Sequence, residues 1–492
     1  MKTRFVVAAI AAIFLASLLF FFVSELTPGV YSDSTDWAMY VMHARNIVTG
    51  HPYAETGYVF QPESTTEVGA NAYPSGVPLI LAPFYAVRGV DLKLFKTLNV
   101  SFLVLSLWPA YLYARRTLSP VSSLVIIVSL GLSTLFFSNF DAIGSDSPYQ
   151  FIAFWVLLFL LRIYDKGLNE TKPIVFGVLA GLVMAAAYLL RPFGVAFLVA
   201  IAATEILKKR RITLFLLAVA GAFIPLVFFN NFFFHADGGY AHQFTFAPKA
   251  VIRHAIDYAG YFSYAFANPV SKLYRYFLWA ATLIPVAIGV VKRIREGKWG
   301  VTELYLLTLL AVLAVYWATN ARYLLPIMPF YLVYMFEGFQ SMASRVSQRF
   351  TLPLKAAAAA LLLFAPAANA VLVRPNPEDT LVTSPRYEAL CTAIRNQTPK
   401  NSLLIFWNPR VLAFSTARFA SGWPAEGKPG ELTQYLSRVH PGYIVVDKNH
   451  QDDRQFLIPF IAASPAPPTA IFENEQFRLI RLLPDASKQG SE

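Results

Sequence analysis

Only one cysteine (Cys391) occurs in 492 residues, which excludes an intramolecular disulfide and any cysteine-built zinc cluster. Charge is equally scarce: 14% of residues are Asp, Glu, Lys or Arg, against about 25% in ordinary soluble domains. Walker A, G-x-G-x-x-G and G-x-S-x-G motifs are all missing, so ATP-driven transport, dinucleotide chemistry and an α/β-hydrolase lose their usual support. Seven histidines show no H-E-x-x-H or other metal spacing, and His43, His51, His235, His242 and His254 read as polar loop residues. No internal repeat stands out.

What is present is apolar. Hydrophobic residues make up 56% of the chain, and the mean hydropathy is +0.49. This excludes a soluble multidomain enzyme, a disordered chain and a nucleic-acid reader, despite a pI near 9.5. Stretches long enough to cross ~30 Å of hydrocarbon recur near 5–24, 95–114, 120–139, 148–164, 173–190, 193–207, 212–234, 273–291, 301–319, 323–337 and 352–373. The first follows Met-Lys-Thr-Arg and has no small-x-small cleavage site before Glu25, so it reads as an uncleaved anchor.

The placement of charge gives these spans a topology. From residue 374 onward there are 13 Lys/Arg and 12 Asp/Glu, so nearly the whole excess of +12 lies in the apolar part. With the N-terminus inside, the inside loops hold Lys2/Arg4, Arg115/Arg116, Arg162/Lys166/Lys172, 208–211, Lys292/Arg293/Arg295/Lys298 and Arg345/Arg349/Lys355. That is 18 basic residues in short loops, whereas the much longer outside connections share ten, as the positive-inside rule requires. Eleven spans then place residues 374–492 outside, which is the periplasm if the cell is Gram-negative. The sequence therefore predicts an α-helical polytopic membrane protein, with about 11 transmembrane helices over 1–373 and a small α/β extracytoplasmic domain over 374–492.

Two outside segments, 25–93 and 235–272, exceed a simple connector, and functional loops are where such length is spent. In the first, residues 34–49 read as an amphipathic helix, with Trp37, Tyr40, Val41, Ala44 and Val48 three and four apart and Gly50 as the stop. After a polar stretch, 77–87 is apolar but too short to span, which suits an interfacial segment. In the tail, 385–396 and 431–439 read as helices. LLIF (403–406), VLAF (411–414) and YIVV (443–446) read as strands, and 470–483 as a terminal hairpin or strand.

Acidic side chains near the outer boundary are the main chemical signal: Asp33 and Asp36 past the first span, Asp141 and Asp146 between the third and fourth. Such carboxylates serve as general base, hydroxyl acceptor or metal ligand, which leaves a divalent cation open. Asp33 also suits a helix cap, and Asp141 and Asp146 suit solvated loop positions. At the same level, Arg191 in LLRPFG and Arg322 in NARYLLPIMP sit beside span ends, where a guanidinium fork can hold a lipid-linked phosphate or snorkel to headgroups. For Lys272 and Arg275 snorkelling is the simpler account.

The order of these features resembles a known family. A first span precedes D-x-x-[DE]-[YW]…A-x-x-[IL]-x-x-G (Asp33 through Gly50). An N-x-Y-P-x-G-x-P-L element (71–79) follows, then Gly-Ser-Asp-Ser-Pro-Tyr (144–149), LLRPFG (189–194) and ARYLLPIMP (321–329). This is similar to the C-type (GT-C) glycosyltransferases that use polyprenyl-phosphate sugars, a group that includes protein O-mannosyltransferases and the lipid A aminoarabinose transferase. The resemblance covers about 5–340 and the outer C-terminal domain. It implies transfer from a polyprenyl-phosphate-linked sugar to a lipid, glycan or protein acceptor, at the outer face of a bacterial inner membrane. It implies Asp33 as base or acceptor-orienting carboxylate, Asp36 at the second acidic position and Asp146 as the later acid. Tyr73 and Pro74 would line the cavity, and Arg191 and Arg322, with Tyr323 beside the latter, would face donor phosphate. Aminoarabinose-type members carry a lysine in the element matched here by residues 71–74; this chain has none, so phosphate charge must be met elsewhere. A secondary transporter or lipid flippase is the alternative from another class, but no half-repeats or intramembrane ionisable relay are visible. A non-catalytic glycan-binding homologue is the third.

Overall fold

The computed structural model describes residues 2–29, 36–64, 68–234, 244–266, 272–344, 381–424, 429–463 and 468–482. The chain divides into two compact units. One comprises Met1–Leu26, Lys93–Asn231 and Phe244–Pro375; the other comprises Thr27–Leu92, Phe232–Gln243 and Asn376–Glu492.

The first unit is helical. Six helices among the described residues are long and apolar enough to cross a membrane: Phe5–Ser24, Leu92–Ala114, Asp146–Asp165, Pro173–Leu190, Leu214–Phe234 and Arg275–Arg295. Pro120–Gly131 and Val301–Val315 are apolar but shorter. The expected span 120–139 is not one helix. It breaks into Pro120–Gly131 and Thr134–Phe137, with the Ser133 hydroxyl donating back to the Leu130 carbonyl. Packing accounts for the small residue at the break, because a Cβ on Gly131 would stand 2.7 Å from Leu18 Cδ2 of the first helix. The expected span 323–337 begins later, at Met328, because residues Ala321–Leu324 form a 3-10 turn ahead of Pro326. The expected span 352–373 lies outside the described residues.

Ion pairs tie together loops that the charge pattern assigns to one face. Arg116 pairs with Asp165 at 2.6 Å, and Lys209 pairs with Glu170. Toward the same end, buried Arg293 reaches Glu303 at 2.9 Å and Glu337 at 3.1 Å, joining the helices Lys272–Arg295, Val301–Val315 and Met328–Ala343. A buried charge is tolerated only with such partners.

The second unit carries a five-stranded sheet of order β2-β1-β3-β5-β4, built from β1 (Leu403–Ile405), β2 (Phe419–Ser421), β3 (Tyr443–Asp447), β4 (Thr469–Glu473) and β5 (Phe477–Arg481). β1 runs parallel to β2 and β3, and β3-β5-β4 is antiparallel, so the terminal hairpin closes one edge. The helices Pro385–Gln397 and Pro429–Val439 match expectation. Residues 411–414 do not. They belong to the helix Pro409–Thr416, which begins at an N-cap, with Asn408 accepting from the Val411 amide, and has Pro409 in its first turn. A four-residue apolar run cannot by itself separate strand from buried helix, and the cap decides.

The same unit holds the first loop. Its helix runs Asp36–Thr49 and ends at Gly50 with φ +72°, the left-handed stop that glycine adopts without penalty. Trp37, Tyr40, Val41 and Ala44 are buried as the spacing predicts, whereas Val48 is exposed. Residues Gly76–Arg88 form a helix that packs on it.

Candidate active site

Two clusters of candidate residues emerge, one in each unit. In the helical unit, Pro192 ends the helix Pro173–Leu190 and holds the preceding Arg191 in an extended conformation (φ −151°, ψ 136°). Gly194 is required in the turn that follows, since a Cβ there would stand 2.5 Å from the Tyr188 nitrogen. Arg191 thus sits at a helix C-terminus, where a cation is favoured, and faces Asp146 at the N-terminus of the helix Asp146–Asp165, where an anion is favoured.

The contact between them is close. Arg191 Nη1 lies 2.8 Å from Asp146 Oδ1, and Arg191 Nε donates to the Ser145 hydroxyl at 2.9 Å. Arg322 approaches the other carboxylate oxygen, with Nε 3.7 Å from Oδ2. Its turn is set by Asn320, whose side-chain oxygen accepts the Arg322 amide at 3.0 Å. The Tyr323 ring lies against both guanidiniums, 4.9 Å from that of Arg191 and 5.4 Å from that of Arg322. Phe193 and Tyr316 pack edge-on against Tyr323. Aromatic faces thus help hold two like charges side by side. Two guanidiniums thus converge on one carboxylate in a shielded setting.

Asp141 has a different place. Lys96, wholly buried, donates to its Oδ1 at 2.6 Å, and Asn99 on the same helix accepts the Gly144 amide at 3.4 Å. This pair braces the loop that leads into Asp146. Separating a buried pair costs about 3–5 kcal/mol, so Asp141 is a strut.

In the second unit, Asp36 opens its helix and gathers two partners. Tyr73 donates its hydroxyl to Asp36 Oδ1 at 2.9 Å, and Arg410 Nη1 approaches the same oxygen at 3.3 Å. Tyr73 is fixed from behind. The Tyr53 hydroxyl donates to the Tyr73 carbonyl at 2.9 Å, while Tyr53 stacks on His43 at 4.0 Å. Burial first, and then the Tyr40 hydroxyl, push the Tyr53 phenol well above its ordinary pKa, which keeps it a donor. Buried Asn46 donates to the carbonyls of Pro52, Tyr53 and Glu55 and so shapes the turn that presents Tyr53. Pro74 is buried next to Tyr73. Asp33 lies outside the described residues.

Arg410 is the residue that sequence patterns miss. It sits on Pro409–Thr416, 374 positions from Asp36, and no local motif announces it. Cys391 contributes no thiol chemistry near neutral pH, because burial pushes its pKa up to about 11. Among the described residues, no group of three or more His, Cys, Asp or Glu side chains is placed to hold a metal ion.

No family model and no curated protein matches the sequence. Solved structures do match its fold. ArnT from Cupriavidus metallidurans bound to undecaprenyl phosphate superposes with a TM-score of 0.55 at 11% identity, covering 96% of this chain and 97% of that one. The archaeal oligosaccharyltransferase AglB from Archaeoglobus fulgidus, in complex with an inhibitory peptide and a dolichol-phosphate, gives 0.54 at 13% identity, covering 90% of this chain and 69% of that one. An Archaeoglobus fulgidus oligosaccharyltransferase tethered with an acceptor peptide gives 0.55 at 14% identity, with 91% of this chain and 69% of that one covered. The chain has the fold of the C-type (GT-C) glycosyltransferases.

Proposed function

We propose that the chain is an integral-membrane glycosyltransferase that moves a sugar from a polyprenyl-phosphate carrier to an acceptor hydroxyl. The observation that carries this reading is the pair Arg191 and Arg322 converging on Asp146. A lipid-linked sugar phosphate is a phosphodiester with one negative charge, the kind of group that paired guanidinium forks hold. Asp146 aligns the two forks, and Tyr323 keeps them apart from bulk water. The solved structures of this fold that hold undecaprenyl phosphate and dolichol-phosphate support a ligand of that chemistry.

In this account the acceptor oxygen attacks the anomeric carbon, and its proton passes to the Asp33 carboxylate. The bond from that carbon to the phosphate oxygen breaks. The lipid phosphate leaves with the electron pair, its growing charge met by arginine. Attack opposite the leaving group inverts the anomeric centre. Asp36, with Tyr73 behind it, orients the acceptor, and Tyr73 and Pro74 line its path. The reaction draws on no nucleotide, in keeping with the missing nucleotide motifs. The envelope glycans of a strain lacking this chain should lose one sugar and regain it on complementation; an unchanged profile would reject the reading.

The orientation is part of the proposal: N-terminus in the cytoplasm, residues 374–492 outside a bacterial inner membrane. Reporter fusions after Arg116, Arg211 and Arg295 should report cytoplasm, and fusions after Gly50, His254 and Pro424 should report the outside. A cytoplasmic signal at Pro424 would make the span count even and remove the outer domain.

A further inference from the structure

Asp36 and Arg410 differ sharply in accessibility. The Asp36 side chain is 28% exposed, whereas that of Arg410 is 1% exposed, although the two form one ion pair. The guanidinium lies between two tyrosine rings, 5.1 Å from the centroid of Tyr58 and 5.2 Å from that of Tyr73. Its Nη2 donates to the Val68 carbonyl at 3.1 Å. The helix that carries it is held against the first loop by Trp37, whose ring meets Phe414 edge-on at 5.1 Å. The loop segment 57–59 is tied to the sheet as well, through Val59 N to Ala420 O at 2.8 Å and Ala420 N to Gly57 O at 2.9 Å.

A long cation in this position cannot reach a ligand, but it can decide where a carboxylate points. We propose that Arg410 is a positioning residue for glycosyl transfer: from behind Asp36 it fixes the carboxylate that receives the acceptor hydroxyl. Acceptor recognition is then completed only when the sheet and the first loop are joined. The proposal rests on the transferase reading and deepens it. It assigns the C-terminal residues a part in selecting a hydroxyl-bearing acceptor, and it leaves the lipid phosphate to the other cluster. The fork matters as well as the charge, since one nitrogen holds Asp36 while the other holds the Val68 carbonyl.

The test uses the full chain in a strain lacking it, with three readouts: chain abundance in the membrane, the restored envelope glycan, and binding of undecaprenyl phosphate to the purified protein. Misplacing a reacting group by about 1 Å costs about a hundredfold in rate. Arg410→Gln should therefore restore only a few hundredths of the wild-type glycan, while binding undecaprenyl phosphate as the wild type does. Arg410→Lys, which keeps charge without the fork, should fall between the two. If Arg410→Gln lowers abundance, the pair Asp36→Asn with Arg410→Gln replaces both charges at once. Abundance should then recover and glycan should not. Full glycan from Arg410→Gln, or from that double variant, would overturn the proposal while leaving the transferase reading intact. Equal losses of abundance and glycan in every variant would also overturn it, as a folding role. A knockout with unchanged glycans would remove the transferase reading itself, and this proposal with it.

Discussion

Arg191→Ala should reach the membrane at near wild-type abundance and restore almost no glycan to a strain lacking the chain. The size of the loss follows from the proposed role. Without Arg191, one of the two guanidiniums that converge on Asp146, and with it one donor to the phosphodiester, is removed. Removing one fixed donor that stabilises developing negative charge lowers kcat by about 10²–10³-fold. Arg191→Lys should recover only part of this, because an ammonium cannot hold Asp146 and Ser145 together as the planar fork does. Arg322→Ala should follow the same direction with a smaller effect, in keeping with its longer approach to Asp146. If both Ala variants restore the glycan fully, the phosphate is held elsewhere, with Arg253, Lys272 or Arg275 the next candidates.

Asp33→Asn is expected to be the other severe variant. An amide keeps the size of the side chain and can still accept a helix-capping hydrogen bond, so a structural role predicts little loss. It cannot take a proton from an acceptor hydroxyl. Loss of a general base typically lowers the rate by about 10²–10⁴-fold. The variant should accumulate normally, bind undecaprenyl phosphate normally and transfer almost no sugar. Asp36→Asn should be milder at the chemical step, since in the proposed mechanism that residue orients the acceptor. Wild-type transfer by Asp33→Asn would reject Asp33 as the base and move the role to Asp36 or Asp146.

Much of this architecture is legible in the residues alone, and the reason is physical. Spans announce themselves because the bilayer demands long apolar helices, and basic residues mark one face of it. Arg191 stands out because Pro192 must end a helix there, and a charge at a span end needs a purpose. Tyr73 and Asp36 are visible as separate motifs, but their hydrogen bond is not, because it joins residues 37 positions apart. Arg410 is invisible for the same reason at ten times the distance. Asp141 shows the converse case. An outer carboxylate that looks available for chemistry is spent on buried Lys96, which only a tertiary contact reveals. The helix at 409–416 has a composition that also suits a strand, and only Asn408-Pro409 ahead of it signals a helix start.

The most direct test of the central claim is equilibrium binding of undecaprenyl phosphate to the purified full chain in neutral-lipid nanodiscs, wild type beside the Arg191→Ala/Arg322→Ala double variant. Saturable binding by the wild type, weakened at least about tenfold in the double variant, is the expected result, since charge-assisted hydrogen bonds to a shielded phosphate are worth about 1.5–3 kcal/mol each. Equal affinity in the two proteins would contradict the assignment of the arginine pair to the lipid-linked phosphate.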